Sequence, residues 1–198
     1  MHKPYSESCS QNREPIFEII EPLFAKIKTV FEVGSGTGQH AVYFAKEMTH
    51  LTWQTSDNPD CHNGIRQWIG EAGLPNVQLP VALQIPQDAA PKQKYDAVYS
   101  ANTLHIMSTE EAECFFSVAS DLLENNGLLV VYGPFNYEGK YTSASNAQFD
   151  KWLYNQNPKS CIKDFEIVNV WAKKQGLVLE GDYEMPANNR ILHWIKKS

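Results

Sequence analysis

The stretch Val30-Phe-Glu-Val-Gly-Ser-Gly-Thr-Gly-Gln-His-Ala-Val-Tyr-Phe-Ala45 decides the fold class of this chain. It begins with an apolar run typical of a buried strand, continues with glycines at positions 34, 36 and 38, and ends in an amphipathic helix pattern. Glycine lets the backbone turn tightly after the strand and approach a ligand closely, because it has no Cβ. The stretch therefore predicts a strand, a nucleotide-binding turn and a helix.

The spacing of the glycines indicates which nucleotide binds. A dinucleotide fingerprint has its third glycine three residues after the second, close to the pyrophosphate, and this chain has Gln39 there. The pattern Glu-x-Gly-x-Gly-x-Gly from position 32 instead resembles the first motif of class I methyltransferases that use S-adenosylmethionine (SAM), a cofactor without phosphate. The cofactor residues that this resemblance implies are Glu32, Gly34, Ser35, Gly36 and Gly38.

Asp57 is the expected partner of the cofactor's ribose. The run 51–56 has the pattern of a strand, and Asp57 follows it about twenty residues after the glycines, where a doubly wound fold places an acid on the ribose hydroxyls. An ionised carboxylate accepts hydrogen bonds from both hydroxyls. The alternative is that Asp57 only caps a helix beginning near Asp60, but the glycines upstream favour the ribose role.

Length and composition indicate one globular domain over residues 1–198. Apolar residues make up 42% of the chain, and the net charge is −6 with no cluster of Lys and Arg larger than a pair. A nucleic-acid partner is therefore disfavoured, and the expected substrate is a small molecule or a protein. The oligomeric state stays open.

No stretch approaches the roughly twenty apolar residues that span a bilayer, and the start of the chain lacks the apolar core of a signal peptide. We therefore expect a cytoplasmic protein with no membrane partner. The four cysteines are far apart and have no histidine at ligand spacing, so we predict neither a disulfide nor a metal site. They are Cys9, Cys61, Cys114 and Cys161.

Strand and helix patterns alternate after residue 29 and predict an α/β fold, a Rossmann-like, doubly wound, seven-stranded sheet that is mostly parallel. The predicted strands cover residues 29–34, 51–56, 77–83, 95–101, 127–133, 177–185 and 190–196. The predicted helices cover residues 39–48, 60–72, 108–124, 144–155 and 162–175. Ser108 and Glu111 form a capping box, and Asn126-Gly127 is expected to end the same helix. Because only residues 186–189 separate the last two strands, these should form an antiparallel C-terminal hairpin.

Residues 1–28 precede the first strand. A polar stretch leads into apolar residues at helical spacing, with Asn12 as the expected N-cap, Pro15 in the first turn and a kink or break at Pro22. Two roles stay open for this segment. It is either a helix that covers the sheet edge, or a lid that places Asn12 and Arg13 over the cofactor and excludes water.

Ligands of open α/β sheets bind beyond the carboxyl ends of the strands. In this chain those ends lead into polar and aromatic loops whose motifs resemble a known family. The motifs are Asn12-Arg-Glu-Pro-Ile16, Ser100-Ala-Asn-Thr-Leu-His-Ile-Met-Ser108, Tyr132-Gly-Pro-Phe-Asn136, Tyr141-Thr-Ser-x-Ser-Asn-x-x-Phe-Asp150 and Met185-Pro-Ala-Asn-Asn189. Over essentially the whole chain they are similar to small SAM-dependent methyltransferases of the methyltransferase-like 26 type. The resemblance implies the class I fold and SAM binding, and it assigns no substrate.

Roles for the loop residues follow from position and from this resemblance. By position and ordinary pKa, His105 is the expected general base, and the alternative is a structural histidine bonded to a backbone carbonyl. Asn102 is expected to hold the methionine end of the cofactor or its adenine loop. On the family pattern alone, Asn136, Tyr141 and Asn146 are candidates for contact with the substrate.

One position departs from the family pattern. Where the family has Leu-Asp-Val after the third strand, this chain has Leu83-Gln84-Ile85. An aspartate there accepts a hydrogen bond from the adenine amino group. The carbonyl of Gln84 can accept the same bond without charge assistance, so we expect weaker SAM affinity rather than loss of binding.

The sequence thus predicts a SAM-dependent methyltransferase. An NAD-dependent oxidoreductase is the first alternative, and Gln39 in the third-glycine position opposes it. The second is a catalytically silent SAM-binding or scaffold protein, which Gln84 favours and the polar loops around Asn102 and Asn136 oppose.

Overall fold

A computed structural model describes residues 3–197 of the chain. Its main strands are β1 Thr29–Val33, β2 Thr52–Asp57, β3 Val77–Ala82, β4 Tyr95–Ala101, β5 Leu123–Gly133, β8 Leu177–Met185 and β9 Asn189–Lys196. They form a seven-stranded sheet in the order β3-β2-β1-β4-β5-β9-β8. Two short strands, β6 Phe135–Asn136 and β7 Lys163–Asp164, form a separate parallel pair.

The order of the strands confirms the predicted topology. β1 lies between β2 and β4 and is parallel to both. The chain runs outward through β2 to β3 and then returns to β4 and β5 on the other side, so the strand order reverses between β1 and β4. β9 is antiparallel to β5, and β8 pairs with the outer side of β9. The sheet is therefore doubly wound and mostly parallel, with an antiparallel C-terminal hairpin.

Six α-helices lie within the described residues: α1 Glu7–Phe24, α2 Gln39–Glu47, α3 His62–Ala72, α4 Thr109–Leu122, α5 Ala144–Gln156 and α6 Phe165–Lys174. None of the helices between residues 3 and 197 is long and apolar enough to cross a membrane.

Two hydrophobic cores bury the two faces of the sheet. Val98 of β4 packs in one core with Phe115 of α4 and Trp171 of α6. The next residue, Tyr99, packs in the other core with Phe44 of α2. Because successive strand residues point to opposite faces, a run of apolar residues such as β4 is covered on both sides. The carboxyl ends of the strands stay open for the loops that build the site.

The N-terminal helix begins earlier than predicted. α1 starts at Glu7, and the side chain of its N-cap Ser6 accepts a hydrogen bond from Cys9 N at 3.4 Å. The prediction of Asn12 as N-cap is wrong, since Asn12 lies in the second turn of this helix. The polar residues before Pro15 form the first turns of α1 rather than a separate segment.

A kink or break was also predicted at Pro22, and the break is wrong, because one helix contains both Pro15 and Pro22. Ile16, Ile20 and Phe24 repeat every fourth residue and are fully buried. Their burial against the sheet stabilises the helix by more than the missing proline hydrogen bonds cost.

The boundary between α4 and β5 also differs from the prediction. α4 ends at Leu122 and the strand begins at once with Leu123, so Asn126-Gly127 does not close the helix as predicted. Asn126 has a φ of +63° and lies where the pairing between β4 and β5 shifts register. Asparagine tolerates this left-handed conformation, which suits a bulge as well as a helix end.

The predicted capping box of α4 is confirmed. Ser108 Oγ accepts a hydrogen bond from Glu111 N at 3.2 Å, and the Glu111 carboxylate accepts one from Ser108 N at 2.7 Å. The predicted helix from residue 162 starts later, at Phe165, because the residues before it are extended and pair with β6.

Candidate functional site

A cavity of about 1220 Å³ lies at the carboxyl ends of β1, β2, β4 and β5, between α1 and α5. It occupies the point where the strand order reverses, which is where open α/β sheets bind their ligands. A smaller cavity of about 280 Å³ adjoins it and shares Gly34, Asp57 and Thr103 as lining residues. The site therefore has one large compartment and one small one, with the glycine turn and Asp57 between them.

The glycine turn after β1 packs against the loop after β4. Gly34 has a φ of +76°, and a Cβ on it would lie 2.7 Å from Thr103 Oγ1, so only glycine fits there. Gly36 has a φ of +58°, and nothing lies within 4 Å of where its Cβ would be. Since Gly36 lines the large cavity, that open space is part of the space for a ligand.

Gly38 and Glu32, two of the predicted cofactor residues, do not line either cavity. Gly38 is the N-cap of α2, and a Cβ there would lie 3.2 Å from the Cα of Ile65, so this glycine lets α2 approach α3. Glu32 is buried behind the turn, where its carboxylate accepts hydrogen bonds from Ser35 Oγ at 2.8 Å and Trp53 Nε1 at 3.2 Å. Burial raises the pKa of Glu32 to about 7, although the two donors oppose the shift. Glu32 therefore supports the turn through Ser35, which does line the cavity.

Asp57 is tied directly to the glycine turn. Its Oδ2 accepts a hydrogen bond from Gly36 N at 2.6 Å, and its Oδ1 accepts one from Asn58 N at 2.7 Å. The alternative role of Asp57 as a helix cap is wrong, because the cap of the following 3₁₀ turn is Asn58, whose Oδ1 accepts from Asp60 N at 3.1 Å. The Asp57 carboxylate is left facing both cavities.

Gln39, which replaces the third glycine of a dinucleotide fingerprint, holds α1 over the turn. Its Oε1 accepts a hydrogen bond from Ser6 N at 2.5 Å, and its Nε2 donates to Ser6 O at 3.2 Å. Cys9 and Asn12 of α1 consequently line the large cavity. The helix both covers the sheet, through its buried apolar face, and walls the site.

The sequence did not single out His40, although it lies within the motif at the start of α2. His40 Nε2 donates a hydrogen bond to Asn12 Oδ1 at 2.7 Å, and the imidazole lines the large cavity. Burial, with a smaller effect of Arg13, lowers the pKa of His40 to about 4, so this histidine is neutral at pH 7. Arg13 itself does not line the cavity, because its guanidinium lies over the Tyr43 ring at 4.7 Å.

Asn102 and Gln84 line different cavities. Asn102 has a φ of +56°, donates from its backbone nitrogen to Tyr132 O at 2.9 Å and lines the large cavity. Gln84 lines the small cavity together with Asp57 and Asn58. The predicted adenine residue and the predicted ribose residue are thus brought together.

His105 lines the large cavity, with 8% of its surface exposed. Burial lowers its pKa to about 4, nearby Lys163 acts in the same direction, and Asp150 opposes them. The imidazole is therefore the free base at pH 7. Its ring meets that of Phe149 edge to face, with centroids 5.3 Å apart.

Two of the predicted substrate residues, Asn136 and Tyr141, are not brought into the cavity. Asn136 is buried in β6, where its Oδ1 has no hydrogen-bond partner among the described residues. Tyr141 is 47% exposed and donates its hydroxyl to Asp150 Oδ2 at 2.7 Å. The third candidate, Asn146, does line the cavity and donates to Asn188 O at 3.1 Å.

Helix α5 supplies cavity residues that the sequence did not reveal. Phe149 and Trp152 line the large cavity, three positions apart on one face of the helix. A signal for them exists, since two aromatic residues at this spacing give α5 an aromatic stripe. The sequence alone does not say whether such a stripe packs in the core or faces a ligand.

The charges around the large cavity have one sign. Its lining includes the carboxylates Asp57 and Asp60, and within residues 3–197 no lysine or arginine lines it. The two histidines in the lining are neutral at pH 7, as their lowered pKa values show. Between residues 3 and 197 no group of three or more His, Cys, Asp or Glu could hold a metal ion. The electrostatics of the site therefore suit a cationic organic ligand better than an anionic one.

The chain matches the family described as Protein of unknown function (DUF938) over residues 3–196, and it belongs to that family. Its fold is similar to those of larger solved proteins at low sequence identity. An O-methyltransferase family protein from Burkholderia thailandensis is 19% identical with a TM-score of 0.81, and the match covers 93% of this chain and 56% of that protein.

Two further structures show the same likeness. The S-adenosylmethionine-dependent methyltransferase SibL is 23% identical with a TM-score of 0.81, and the match covers 96% of this chain and 56% of SibL. Human N-acetylserotonin methyltransferase, solved in complex with SAM, is 12% identical with a TM-score of 0.81, over 97% of this chain and 53% of the human protein. The chain spans about half the length of these proteins, and at such identities the likeness establishes the fold.

Proposed function

We propose that this member of the family Protein of unknown function (DUF938) is a SAM-dependent methyltransferase that acts on a small molecule or a protein side chain. One observation carries the proposal. At the glycine turn after β1, Asp57 accepts from Gly36 N, and no lysine or arginine of the described chain lines the cavity. SAM has a sulfonium, an ammonium and a carboxylate, so its net charge is positive and matches this site.

The same observation opposes an NAD-dependent oxidoreductase. A dinucleotide places its pyrophosphate on free backbone donors at the start of the helix. Here the Gly36 donor is already bonded to a carboxylate, and Gln39 fills the position of the third glycine.

The described residues fit each part of SAM. The Asp57 carboxylate would accept from the ribose hydroxyls, and Gln84 would face the adenine in the small cavity. Ser35, Gly36 and Asn102 would hold the methionine end in the large cavity. The open space beside Gly36 is the space that the cofactor would take.

When bound, SAM supplies a methyl group already activated by its sulfonium. The protein's task is then to align the acceptor and exclude water, and alignment alone provides much of the rate. His105 is placed to accept a proton from a hydroxyl, amine or amide acceptor, since its imidazole is unprotonated at pH 7 and lines the cavity. A thiolate or carboxylate acceptor needs no base.

Two kinds of support come from similarity. The motifs resemble methyltransferases of the methyltransferase-like 26 type, and the fold resembles SAM-dependent methyltransferases, one of them solved with SAM. A cytoplasmic location belongs to the proposal as well.

The second candidate, a silent SAM-binding scaffold, is favoured only by Gln84 in place of the family's aspartate.

Thermal unfolding with added ligands tests the proposal. A ligand that binds only the native state stabilises it by about 2.7 kcal/mol at a hundredfold excess over Kd. SAM and its demethylated product S-adenosylhomocysteine (SAH) should raise the Tm, and NAD should leave it unchanged. A rise with NAD and none with SAM or SAH would refute the assignment. SAM binding without any methylated product in a range of metabolite extracts would favour the scaffold.

A further inference from the structure

Three rings wall part of the large cavity. His105, Phe149 and Trp152, which we call the aromatic wall, all line the cavity. The ring centroids of His105 and Phe149 are 5.3 Å apart at 73°, and those of Phe149 and Trp152 are 5.8 Å apart at 13°. Exposure rises along the wall from 8% at His105 to 55% at Trp152. The wall therefore runs from the interior of the cavity to its mouth.

The residues around the wall are apolar or uncharged. Ile106, with 57% of its surface exposed, lies at the mouth with Trp152. Farther in, Pro134 and Leu153 add apolar surface, and Asn146 adds an uncharged amide. Large apolar side chains exposed together at a cavity mouth mark a surface that a ligand covers.

Within residues 3–197 the cavity lining contains no lysine or arginine, and this restricts the charge of the ligand. Burying a carboxylate, phosphate or sulfonate is costly unless an opposite charge or several donors compensate it. The charge of Lys163 acts on His105, but its Nζ donates to Met107 O at 2.7 Å and Cys161 O at 3.0 Å. An anionic ligand would therefore find no lysine or arginine donor among the described residues of the cavity lining.

The size of the cavity leaves room for a second molecule. Sites for one drug-sized ligand are roughly 300–1,000 Å³, and this cavity is about 1220 Å³ with the small compartment of about 280 Å³ beside it. A cofactor on the glycine turn would leave the aromatic wall free. Flat rings stack well on such a wall, because offset-parallel and edge-to-face contacts add to the gain from apolar burial.

We propose that the methyl acceptor is an uncharged, planar aromatic molecule that lies against the aromatic wall, with the group to be methylated next to His105. The acceptor role depends on the proposed methyltransferase function. The aromatic subsite itself depends only on the wall and on the lack of a cation, so binding can test it separately.

Calorimetric titration of three bicyclic probes tests the class of ligand. The probes are 2-naphthol, which is flat and uncharged, naphthalene-2-sulfonate, which is flat and anionic, and decahydro-2-naphthol, which is saturated and uncharged. Each is titrated into the protein with and without saturating SAH. We expect 2-naphthol to bind at least about tenfold more tightly than either of the other probes, given the value of ring stacking and the cost of an unpaired charge. Equal or tighter binding of the sulfonate or of the saturated probe would overturn the proposal.

Variants of α5 test the location. Trp152→Ala and Phe149→Ala should each weaken 2-naphthol binding about tenfold. Tyr154→Ala is the matched control, because Tyr154 is an aromatic residue of the same helix that is 60% exposed and does not line the cavity, and its removal should leave binding unchanged. If Phe149→Ala does not fold, Phe149→Leu keeps the apolar volume without the ring. Unchanged binding in Trp152→Ala, or an equal loss in Tyr154→Ala, would refute the assigned site.

The two proposals fail in different ways. If SAH does not bind but 2-naphthol binds and depends on Trp152, the cofactor assignment is wrong and the aromatic subsite stands. If SAH binds and 2-naphthol does not, with or without SAH, the aromatic subsite is wrong and the cofactor assignment stands.

Discussion

The side chain of Gln39 and the backbone of Ser6 exchange two hydrogen bonds, from Ser6 N to Oε1 at 2.5 Å and from Nε2 to Ser6 O at 3.2 Å. The side-chain amide of Gln39 thus bonds both backbone groups of Ser6, its N–H and its carbonyl. The first helical residue after the glycine turn thereby fixes the start of α1, and α1 forms one wall of the site.

Gln39→Ala should release the start of α1. The variant loses two part-buried hydrogen bonds to the Ser6 backbone, so the free energy of unfolding should fall by about 1 to 3 kcal/mol. Amide exchange over residues 6–10 should become faster, and SAM affinity should fall because Asn12 is less well placed. Gln78→Ala, at an exposed position of β3, is the control and should change none of these quantities. Unchanged exchange in Gln39→Ala would show that other contacts hold the helix.

Gly36→Val should abolish SAM binding, because the valine side chain would occupy the open space in the cavity. Gly73→Val is a close control. Gly73 has a φ of +60°, similar to the +58° of Gly36, and also has nothing within 4 Å of its Cβ position, but it lies at the end of α3. Both variants should lose about 1 to 2 kcal/mol of stability from backbone strain. SAM binding, measured by calorimetry, should be lost in Gly36→Val alone. Retained binding in that variant would place the cofactor elsewhere.

Asp57→Asn should weaken SAM binding by about 1 to 3 kcal/mol, since an amide replaces the charged acceptor of the ribose hydroxyls. Asp60→Asn removes a carboxylate of the same cavity that has no bond to the glycine turn, and its effect should be clearly smaller. Calorimetry on the folded variants measures both. Equal losses would mean that only the total charge matters, not a ribose contact.

His105→Ala should reduce turnover about 10²- to 10⁴-fold if the acceptor is a hydroxyl or an amine, and it should leave SAM affinity intact. Tyr141→Phe should keep normal turnover, because its hydroxyl bonds Asp150 outside the cavity. The assay uses SAM with a labelled methyl group and an acceptor found by screening metabolite extracts. Normal turnover in His105→Ala would indicate an acceptor that needs no base.

Glu32→Gln should alter the pH dependence of stability. Burial raises the pKa of Glu32 from 4.5 to about 7, so between these values the folded protein keeps a proton that the unfolded chain releases. The stability from protonated Glu32 is full below pH 4.5 and is lost as the pH rises through 7, a change of about 3 kcal/mol. Glutamine has no such proton to lose.

Urea unfolding of both proteins across this pH range measures the effect. The wild-type protein should lose stability relative to Glu32→Gln as the pH rises. The comparison cancels the titration of His40 and His105, whose lowered pKa values act between about pH 4 and 6.5 in both proteins. A constant difference would show that folding does not shift the pKa of Glu32.

Most of the fold could be predicted because its signals are local. The apolar runs of β1 and β4 and the glycine turn mark the centre of the sheet, and the short link between β8 and β9 marks the hairpin. The extent of α1 could not be predicted. Proline by itself favours the end of a helix, but burial of Ile16, Ile20 and Phe24 keeps this helix continuous through both of its prolines. Asn126 had a helix-end signal, but it lies in a bulge, which requires the same left-handed conformation.

The part of the site that we propose for the cofactor was more predictable than the part that we propose for the acceptor. Asp57 follows from its spacing after the glycines, and the structure brings it to Gly36 N. Asn136 and Tyr141 follow strand ends or family motifs, and the structure places both outside the cavity. Which face of α5 lines the cavity depends on how the helix packs against the rest of the protein. No local sequence pattern near Phe149 predicts that packing.

Helix α5 buries only Asn146 and Leu153 of its thirteen residues. Little of the free energy of folding therefore depends on the other side chains of the helix, whereas the glycine turn, Asp57 and Glu32 belong to the tightly bonded centre of the molecule. Mutations in α5 can change the shape of the ligand-facing wall at small cost to stability. Evolution could thus alter what this protein recognises, step by step, while the glycine turn and Asp57 stay unchanged.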